Sequence, residues 1–551
     1  MPSAPRATNA PAGPAELVAL AGVDNPDMLA LVEAGGRSLT WAALDDEVSR
    51  VATGLADAGV LAGYRVVLLA GNRIEFVTAY LGILRAQAVA VPLNPSGSAR
   101  ETARVIADCG ARAVIADANT VHLVRAALAM LDDVAAGVPT PLDGDLPAEA
   151  RERTVRPRVF VTDPSGSDPL EDEERSYDDL RTAAARPVPP VQDPERLAAL
   201  LYTSGTSGLP RGVMLTHRAL SANIEQVAAV DPPMIHGDDV VLGLVPLFHV
   251  YGLNAVLGAV LRRRAKLVLA ERFDPQGTLD LIDDEACSVV PVAPPVFAHW
   301  KDVDLEGRLG PVRLMLSGSA PIAPEVIEEF TERTGIAVHQ GYGLTEAAPV
   351  VTSTLVSTPP PPPGSVGVAL AGIELQLVDD DGRLVEDDDT GEIRLRGDNL
   401  FSGYWPDGAD GPDEDGWWST GDVGFVDPAG DVFLVDRVRE LIIVSGFNVY
   451  PIEVERVIAD VEGVVDVAVI GAPDEVTGEA VVAYVVADLA DDAARLALTD
   501  AVREACETGL ARFKVPSRIE VVDELPYGVT GKVQKGRLRG VERRRAAGLL
   551  E

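Results

Sequence analysis

The chain has few cysteines and no long apolar run. Its 551 residues include only Cys109, Cys287 and Cys506, which are far apart and form no CxxC or CxxH spacing. This pattern argues against a disulfide framework or a zinc site and fits a reducing compartment. The longest apolar segments, such as LNAVLGAVL before Arg262, are too short to cross a bilayer. The N-terminus lacks the charged and apolar regions of a signal peptide, so we expect a cytoplasmic protein.

Positive charge is also scarce. The sequence has 47 Lys and Arg, only five of them Lys, against 85 Asp and Glu, which gives a formal net charge of −38. This balance argues against a nucleic-acid partner, because affinity for phosphate backbones depends on clustered cations. An anionic ligand must therefore be met by a local basic patch. The composition is 47% hydrophobic and 24% charged, which is typical of a globular protein.

Strand-like and helix-like segments alternate over residues 64–117 and again over residues 197–340. Such alternation predicts mainly parallel sheets covered by helices on both faces. Residues 141–195 are rich in Pro, Asp and Arg and indicate surface connections. Short β-rich segments with Gly and Asp turns occupy residues 364–436, and helix and strand alternate again from Glu453.

The segment LLYTSGTSGLPRGVMLTHRAL, residues 200–220, predicts an anion-binding loop between an apolar strand and a helix that begins near Thr216. Glycines free the backbone to curl, and hydroxyl and amide groups can then converge on a polyphosphate. The segment lacks the GxxxxGK[ST] pattern, which excludes P-loop NTPases. The alternative is a Ser/Gly-rich surface turn. The candidate contacts are Thr203, Ser204, Gly205, Thr206, Ser207 and Gly208.

This loop resembles the phosphate loop of the adenylate-forming enzymes, a family that includes acyl-CoA synthetases, luciferases and nonribosomal-peptide adenylation domains. Seven further segments resemble family motifs in the same order, and eight ordered motifs argue strongly against chance. They are PLFHVYGL (246–253), LSGSAP (316–321), QGYGLTE (340–346), GEIRLRG (391–397), GWWSTGDVG (416–424), DRVRELIIVSGFNVYPIEVE (436–455) and GKVQK (531–535). SGFNVYPIEVE and PLFHVYGL are most similar to bacterial fatty-acid–CoA ligases and hydroxycinnamate–CoA ligases.

The resemblance implies a large N-terminal αβαβα domain with a small β-barrel part over residues 1–436. A mobile C-terminal α+β domain would occupy residues 437–551. The implied reaction joins a carboxylic acid to CoA through an acyl-adenylate, using ATP and Mg²⁺ and releasing AMP and pyrophosphate. A medium- or long-chain fatty acid is the preferred substrate, with an aromatic acid second. Transfer to an acyl carrier protein, luciferase-like oxidation and non-catalytic nucleotide or acyl-adenylate binding remain alternatives.

The resemblance also implies catalytic roles. Lys532 would bridge carboxylate and phosphate oxygens during adenylation, and its alternative is a solvated lysine near the C-terminus. Glu346 would associate with Mg²⁺, which prefers oxygen ligands, together with Thr206. Thr345 would contact phosphate, although Thr345 and Glu346 could instead cap a helix.

For the nucleoside, Asp422 would accept both ribose hydroxyls with Arg437 on the other side, and Tyr342 would stack on adenine. Taken alone, Asp422 would be a surface charge and Tyr342 a core residue. Arg211 stands where the phosphate loop usually has Lys, which keeps the charge but changes its geometry. The other implied nucleotide contacts are Ser317, Gly318, Ser319, Ala320, Pro321, Gln340, Gly341 and Gly343.

His249 bears on the acid substrate. It stands where adenylation domains for amino acids usually have an Asp that pairs the substrate ammonium, so it indicates a simple carboxylic acid. Its alternative is a satisfied core histidine. Small or apolar residues would line the acyl pocket and suit an alkyl or aryl tail. With His249 they are Tyr251, Gly252, Asn254, Val296, Gly341, Ala347, Ala348 and Val350.

For CoA, Gly446 would let the pantetheine arm pass close to the backbone between Ser445 and Phe447, and Arg272 would contact a CoA phosphate. Arg439 is at the hinge position, where Asp or Lys is usual. Two further features bear on the substrate branch and on CoA binding. Ile443 and Ser445 stand where hydroxycinnamate ligases tend to have lysines, which favours the fatty-acid branch slightly. A basic cluster could serve CoA or be a solvated edge; it contains Arg262, Arg263, Arg264 and Lys266.

Overall fold

The computed structural model describes residues 13–140, 142, 146–163, 169–182, 184–204, 210–320, 322–379, 382–385, 390–437, 442–487, 492–526, 533 and 535–546. These residues form two seven-stranded sheets, a smaller antiparallel unit and a separate five-stranded sheet near the C-terminus. The expected mixed α/β class, with a large N-terminal part and a smaller C-terminal part, is confirmed. The proposed domain boundary after residue 436 stays a prediction.

The first sheet contains most of the predicted strands between residues 65 and 216. Its neighbouring strands are parallel except for the final hairpin. In spatial order the strands are β7 (Glu174–Ser176), β6 (Arg158–Thr162), β5 (Ala113–Asp117), β3 (Arg65–Leu69), β4 (Val89–Pro92), β8 (Leu197–Ser204) and β9 (Pro210–Thr216). The helices of this region are α1 (Pro14–Asp24), α2 (Trp41–Asp57), α3 (Ile74–Arg85), α4 (Ala99–Cys109), α5 (Val121–Ala136), α6 (Ala148–Arg153) and α7 (Asp178–Arg181).

The second sheet is parallel except for its edge pair. Its strands are β14 (Val338–Gln340), β13 (Leu314–Ser317), β12 (Val289–Val292), β10 (Val240–Gly243), β11 (Lys266–Leu269), β1 (Leu29–Glu33) and β2 (Ser38–Thr40). Its helices are α8 (His217–Ala228), α9 (Leu257–Arg263), α10 (Pro275–Asp284), α11 (Pro295–Trp300) and α12 (Pro324–Thr334). A π-helical segment, Tyr251–Val256, precedes α9.

The two sheets and their helices form five layers. Val66 and Leu68 of β3 share a buried cluster with Val241 of β10 and with α2, α3, α8 and α9, which lie between the sheets. Val67 of β3 faces the opposite way, towards α4 and α5. Leu242 of β10 likewise faces α10, α11 and α12. Strands buried on both faces explain the continuous apolar runs in the sequence and confirm the αβαβα expectation.

The β-rich segment forms the smaller antiparallel unit, in the place where the β-barrel part was expected. It has one two-stranded and one four-stranded sheet. The strands are β15 (Thr352–Ser353) with β16 (Val368–Ala369), and β17 (Ile373–Val378), β18 (Gly391–Gly397), β19 (Trp418–Val426) and β20 (Val432–Arg437).

The C-terminal part, here called the C-terminal unit (residues 442–546 as described), forms its own sheet. Its strands are β21 (Ile442–Val444), β22 (Phe447–Val449), β23 (Asp466–Asp474), β24 (Gly478–Val486) and β25 (Arg518–Val522). Its helices are α13 (Pro451–Ala459), α14 (Asp492–Gly509) and α15 (Lys535–Ala546).

One local expectation was wrong and one was incomplete. Residues 141–195 are not only surface connections, because β6 pairs with β5 and β7 inside the first sheet and Phe160 is buried. The short strand RVFVT lies within a polar stretch, and this composition hid it. The helix expected near Thr216 is present, but a strand that was not predicted, β9, lies between the phosphate-loop segment and this helix and returns along β8 as a hairpin. The helix then begins at His217, where the Thr216 side chain accepts a hydrogen bond from Ala219 N at 3.2 Å.

The three cysteines are free and buried, as the absence of a disulfide pattern predicted. Among the described helices, none combines the length and apolar composition needed to cross a membrane.

Candidate functional site

The central cavity lies at the carboxyl ends of β13 and β14, where ligands bind in open α/β sheets. Fourteen of the predicted site residues line it, although they come from separate motifs. They are Thr203, His249, Tyr251, Ser317, Gly318, Ser319, Gln340, Gly341, Tyr342, Gly343, Thr345, Glu346, Val350 and Asp422.

The wall assigned to the nucleoside contains a buried hydrogen bond. The Tyr342 hydroxyl donates to Asp422 Oδ2 at 2.6 Å, and both residues are buried. Asp422 N donates to Thr420 Oγ1 at 3.0 Å, in the part of β19 where the pairing with β18 shifts register. Ser317 is buried on the same cavity, and its Oγ has no hydrogen-bond partner among the described residues. A buried hydroxyl left in this state fits a polar ligand group.

Arg437 lies opposite Asp422 in the pairing of β20 with β19, but the structure does not describe the Arg437 side chain. Ala320 is described and does not line the central cavity. Pro321, the hinge candidate Arg439 and the catalytic candidate Lys532 lie outside the described residues, as does the loop Gly205–Gly208 with Thr206. The Ser204 backbone ends β8, immediately before that loop.

Glu346 is held by residues that the sequence analysis did not connect with it. The Tyr404 hydroxyl donates to Glu346 Oε1 at 2.7 Å. The Arg211 guanidinium lies 3.7 Å from the centre of the Tyr404 ring and also pairs with Asp410 at 2.6 Å. Arg211 therefore supports Glu346 through the Tyr404 ring, on which its guanidinium stacks. The ammonium group of Lys does not reproduce this planar stacking as well. Tyr404 lies outside the recognised motifs, so no sequence signal indicated it.

The described residues contain no group of three or more His, Cys, Asp or Glu side chains that could enclose a metal ion. Glu346 therefore offers one oriented carboxylate. This donor set fits Mg²⁺, which commonly takes one or two protein carboxylates and completes its shell with phosphates and water.

His249 sits between two cavities and is neutral. Burial lowers the pKa of its imidazole from 6.5 to about 4. Its Nδ1 accepts a hydrogen bond from Tyr251 N at 3.3 Å, which assigns the proton to Nε2. A neutral donor in this position cannot pair a substrate ammonium, but it can donate a hydrogen bond to a carboxylate or thioester oxygen.

Five residues proposed for the acyl pocket do not line the central cavity. Ala347 and Ala348 are fully buried, and their carbonyl groups accept hydrogen bonds at 2.7 Å from Asn399 and Asn254. The Asn254 side chain thus binds the backbone at Ala348 from the core side and not from the cavity. Val296, a residue of α11, packs in the core between the second sheet and helices α10 to α12. A Cβ on Gly252 would lie 2.3 Å from Pro246 O, so this glycine serves packing of the π-helical segment. Being close to a motif did not make these side chains face the cavity.

The sequence analysis missed an apolar group that lines the central cavity. The group comes from the end of α8, the segment after it and the π-helical segment, and each side chain is at most 8% exposed. Its members are Val227, Met234, Ile235 and Val256. Their low exposure identifies them as an inner wall rather than the mouth. They lie in segments without family motifs, so only the tertiary structure brings them together.

A second cavity, here called the channel, adjoins the central cavity. It shares Thr203, His249 and Thr345 with the central cavity and is also lined by Phe248 and Phe447. Phe248 and Phe447 in turn border an outer groove that contains Arg272 and Ser445. Three of the four CoA candidates, Arg272, Ser445 and Phe447, therefore line one groove.

Gly446 lies at the contact between the C-terminal unit and the central cavity. Its φ is +86°, and a Cβ there would lie 3.2 Å from Ser319 Cβ and 3.7 Å from Ala293 Cβ. The backbone conformation and the close approach both favour glycine. The face of the C-terminal unit that carries Gly446 is thus the one that packs on the cavity.

The basic cluster near α9 is largely neutralised by neighbouring acids. Arg262 pairs with Glu225 at 2.7 Å and Lys266 with Glu285 at 3.0 Å, while Arg264 pairs with Asp24. These residues do not line the central cavity, the channel or the outer groove. Their arrangement fits the solvated-edge interpretation.

With this geometry established, comparison with known proteins decides the family. Residues 20–405 match the AMP-binding enzyme family, and residues 453–532 match the AMP-binding enzyme C-terminal domain. This chain belongs to the AMP-binding enzyme family.

Relatives of this AMP-binding enzyme extend over nearly its whole length. It is 33% identical over 531 residues to 4-coumarate–CoA ligase 5 of Oryza sativa subsp. japonica, covering 94% of this chain and 92% of the relative. It is 30% identical over 525 residues to the long-chain-fatty-acid–CoA ligase of Bacillus subtilis strain 168, covering 91% and 90%. It is also similar to the solved structure of o-succinylbenzoate CoA synthetase from Bacillus subtilis bound with a product analogue. That match has a TM-score of 0.77 and 25% identity and covers 95% and 98% of the two chains.

Proposed function

We propose that this AMP-binding enzyme joins a medium- or long-chain fatty acid to CoA through an acyl-adenylate, releasing AMP and pyrophosphate. At the coarser level the protein is an adenylate-forming acid–thiol ligase, the class to which its CoA-ligase relatives belong. The proposal concerns the acid that it activates and the residues that act on it.

The apolar inner wall of the central cavity is the observation that carries the choice of acid. Val227, Met234, Ile235 and Val256 together offer buried aliphatic surface and no charge. Each methylene of a fatty acid buried against such a surface contributes about 0.8 kcal/mol. A short or charged acid would leave this wall without a partner.

In this proposal, the adenylation residues surround the bond that forms between the acid and the α-phosphate. Asp422 accepts the ribose hydroxyls, and Glu346, oriented by Tyr404, is the protein ligand that Mg²⁺ would use. Lys532 neutralises the carboxylate and phosphate oxygens, and His249 donates from Nε2 on the channel side. Mg²⁺ supplies charge neutralisation for the phosphates.

The acceptor in this proposal is CoA. The channel continues from His249 past Phe248 and Phe447 to the outer groove with Arg272, a path that suits the narrow pantetheine arm and the charged nucleotide end. Acyl transfer to the phosphopantetheine arm of a carrier protein uses the same channel and is the alternative acceptor.

A hydroxycinnamate or another aryl acid is the second candidate substrate. The relatives named 4-coumarate–CoA ligases favour it, and Tyr251 and His339 add polar groups to the central cavity. Such groups could receive a phenol, whereas an unsubstituted alkyl chain would leave them unused.

Mass spectrometry of reaction products separates these candidates. Purified protein, ATP and Mg²⁺ are incubated with a pool of C6 to C18 fatty acids and cinnamates, with and without CoA. Acyl-CoA from one range of fatty-acid lengths would support the proposal. Coumaroyl-CoA as the only product would identify an aryl acid as the substrate. Acyl-adenylate that accumulates with and without CoA would favour a carrier protein as the acceptor. The absence of any adenylate would contradict the proposed function.

Lys532→Ala tests the assignment of the adenylation lysine. Adenylate formation should fall by several orders of magnitude, because charge on the approaching anions is no longer neutralised, whereas thiolation of supplied acyl-adenylate should persist. Pyrophosphate exchange and thioester formation are measured separately. Equal losses in the two half-reactions would remove Lys532 from this role.

A further inference from the structure

Three charged side chains form a largely buried cluster at the channel, and two of them, Glu101 and Lys514, line it. Lys514 Nζ lies 2.6 Å from Glu101 Oε1 and 2.8 Å from Glu453 Oε1. The Lys514 and Glu453 side chains are each 9% exposed, and that of Glu101 is 20% exposed. None of the three was predicted to act at the site, and none belongs to the catalytic set described above.

The cluster joins two separate parts of the fold. Glu101 is in the first turn of α4, which packs on the first sheet, whereas Glu453 and Lys514 belong to the C-terminal unit. Glu101 is held in place, because its other oxygen accepts a hydrogen bond from Ser98 N at 2.8 Å. Ser98 Oγ also donates to Gly509 O at 3.4 Å, which gives a second polar link across the same contact.

The charge state of the cluster makes the contact specific. Burial by itself lowers the pKa of Lys514, but attraction and hydrogen bonds from Glu101 and Glu453 outweigh it and raise the pKa above its usual range. The ammonium group therefore stays charged and requires acidic partners. If the C-terminal unit moved away, Lys514 would keep Glu453 but Glu101 would lose this cation, so the pair selects the orientation that brings the opposite charges together.

The cluster also borders the aromatic residues that line the channel. Phe513 adjoins Lys514, and its ring lies 4.8 Å from that of Phe447. The Phe447 ring stacks at 6.1 Å on Phe248, the residue before His249. A fixed Lys514 therefore fixes the position of Phe447 against the wall that carries His249.

We propose that Glu101 and Lys514 are positioning residues for thioester formation. Their ion pair holds the C-terminal unit in the orientation that presents Gly446 and Phe447 to the central cavity and channel. This inference rests on the proposed acid–CoA ligase function, since it assigns the pair to one of its two half-reactions.

Glu101→Gln tests the proposal with little risk to folding. The amide keeps the size of the side chain and an oxygen for Ser98 N, but it removes the charge that faces Lys514. Thioester formation from supplied acyl-adenylate should slow by roughly 5- to 150-fold, the usual range for coupling between two conformational states. Pyrophosphate exchange with acid and ATP should stay near the wild-type rate, because adenylation does not need this orientation.

Glu285→Gln is the matched control. It removes the same charge from the 3.0 Å pair with Lys266, which lies within the N-terminal part and away from the channel. Neither half-reaction should change in this variant. Equal loss of both half-reactions in Glu101→Gln, or no loss in either, would overturn the proposal.

Hydrogen–deuterium exchange provides a readout that does not depend on activity. Amides of residues 442–450 and of the first turn of α4 should exchange faster in Glu101→Gln than in the wild type, while those of β3 and β5 should not change. Unchanged exchange at residues 442–450 would overturn the positioning role. If the wild type forms no adenylate, the ligase proposal fails, but this comparison still tests the ion pair.

Discussion

At the scale of single residues, side chains with a proposed role at the ligand are oriented by neighbouring residues. Glu346 receives a hydrogen bond from Tyr404, and the Tyr404 ring is covered by Arg211. A carboxylate fixed in this way loses less rotational freedom when it meets a metal ion.

Tyr404→Phe should weaken the use of Mg²⁺. The variant keeps the ring under Arg211 but removes the hydroxyl that orients Glu346 Oε1. Loss of such an outer partner typically weakens metal binding by about 10- to 100-fold, so the Mg²⁺ concentration for half-maximal adenylation should rise at least tenfold.

Pyrophosphate exchange measured over a Mg²⁺ series checks this expectation. Tyr177→Phe is the matched control, because the Tyr177 hydroxyl bonds to Thr78 at 2.8 Å in the core, away from the cavity. It should leave the Mg²⁺ curve where it is. A Tyr404→Phe curve identical to that of the wild type would show that Glu346 does not need this hydrogen bond.

His217 should make the protein less stable in mild acid. Burial, with a smaller contribution from Arg196, lowers the pKa of His217 from 6.5 to about 4. The unfolded chain therefore takes up a proton as the pH falls below 6.5, whereas the folded chain does so only near pH 4. The free energy of unfolding must then decrease as the pH falls through this interval.

His217→Phe should remove that contribution. Between pH 7.5 and pH 5 the wild type should lose about 2 kcal/mol more stability than the variant. The aromatic ring fills similar space, and His217 Nδ1 has no hydrogen-bond partner among the described residues. Urea unfolding at the two pH values measures the difference. Equal losses in both proteins would mean that His217 is protonated in the folded state at pH 5.

At the scale of elements, turns and hairpins bring the motifs to the cavity. The β8–β9 hairpin carries Thr203 to the carboxyl ends of the strands, and the turn between β21 and β22 carries Gly446 to the same place from the other side. The second turn depends on a backbone conformation that residues other than glycine rarely adopt.

Gly446→Ala should slow thioester formation selectively. The positive φ and the 3.2 Å approach to Ser319 Cβ both oppose a methyl group. A cost of about 1–2 kcal/mol in the closed arrangement corresponds to a decrease of roughly 5- to 30-fold. Adenylate formation should be retained, because Gly446 is proposed to contact the pantetheine arm.

Gly478→Ala separates the two causes. Gly478 also has a positive φ, +81°, but a Cβ there would meet its nearest neighbour, Ile443 O, only at 4.0 Å. This control should lower the melting temperature but should not slow thioester formation more than adenylate formation. Rapid-quench kinetics measure the rates of the two half-reactions. An equal effect of both variants on thioester formation would assign the loss to backbone strain alone.

At the scale of the whole molecule, the excess of acidic residues affects stability. The formal net charge is −38, although many individual Arg and Lys side chains are paired with neighbouring acids. Repulsion among the remaining carboxylates acts over longer distances than the pairs and opposes the compact state.

Raising the KCl concentration from 0.05 to 1 M should therefore raise the melting temperature. The screening length falls from more than about 10 Å to about 3 Å over this range, which removes long-range repulsion but affects close, partly buried pairs less. Calorimetry at constant pH measures the effect, and NaCl should act similarly. A steady decrease would show that attraction between paired charges outweighs the net repulsion.

Much of the architecture and the family could be derived from the sequence. The strands and helices between residues 64 and 117 and the helix start near Thr216 follow from local backbone preference and hydrophobic periodicity. The ordered motifs resemble those of the adenylate-forming enzymes, and this resemblance implied that Thr203, Tyr342, Glu346 and Asp422 surround one ligand. The structure brings these four residues to one cavity.

Other features depend on how distant segments pack. Asn254 and Ala348 lie beside motif residues, yet packing turns them towards the core, whereas Met234 and Ile235 line the cavity from a segment without a motif. Lys514 meets Glu101 across 413 positions of sequence. The sequence by itself determined the family, the elements and the motif residues, because those depend on local order. Only the tertiary structure decided which side chains face the cavity and which charges pair, because burial and distance depend on the whole packed chain.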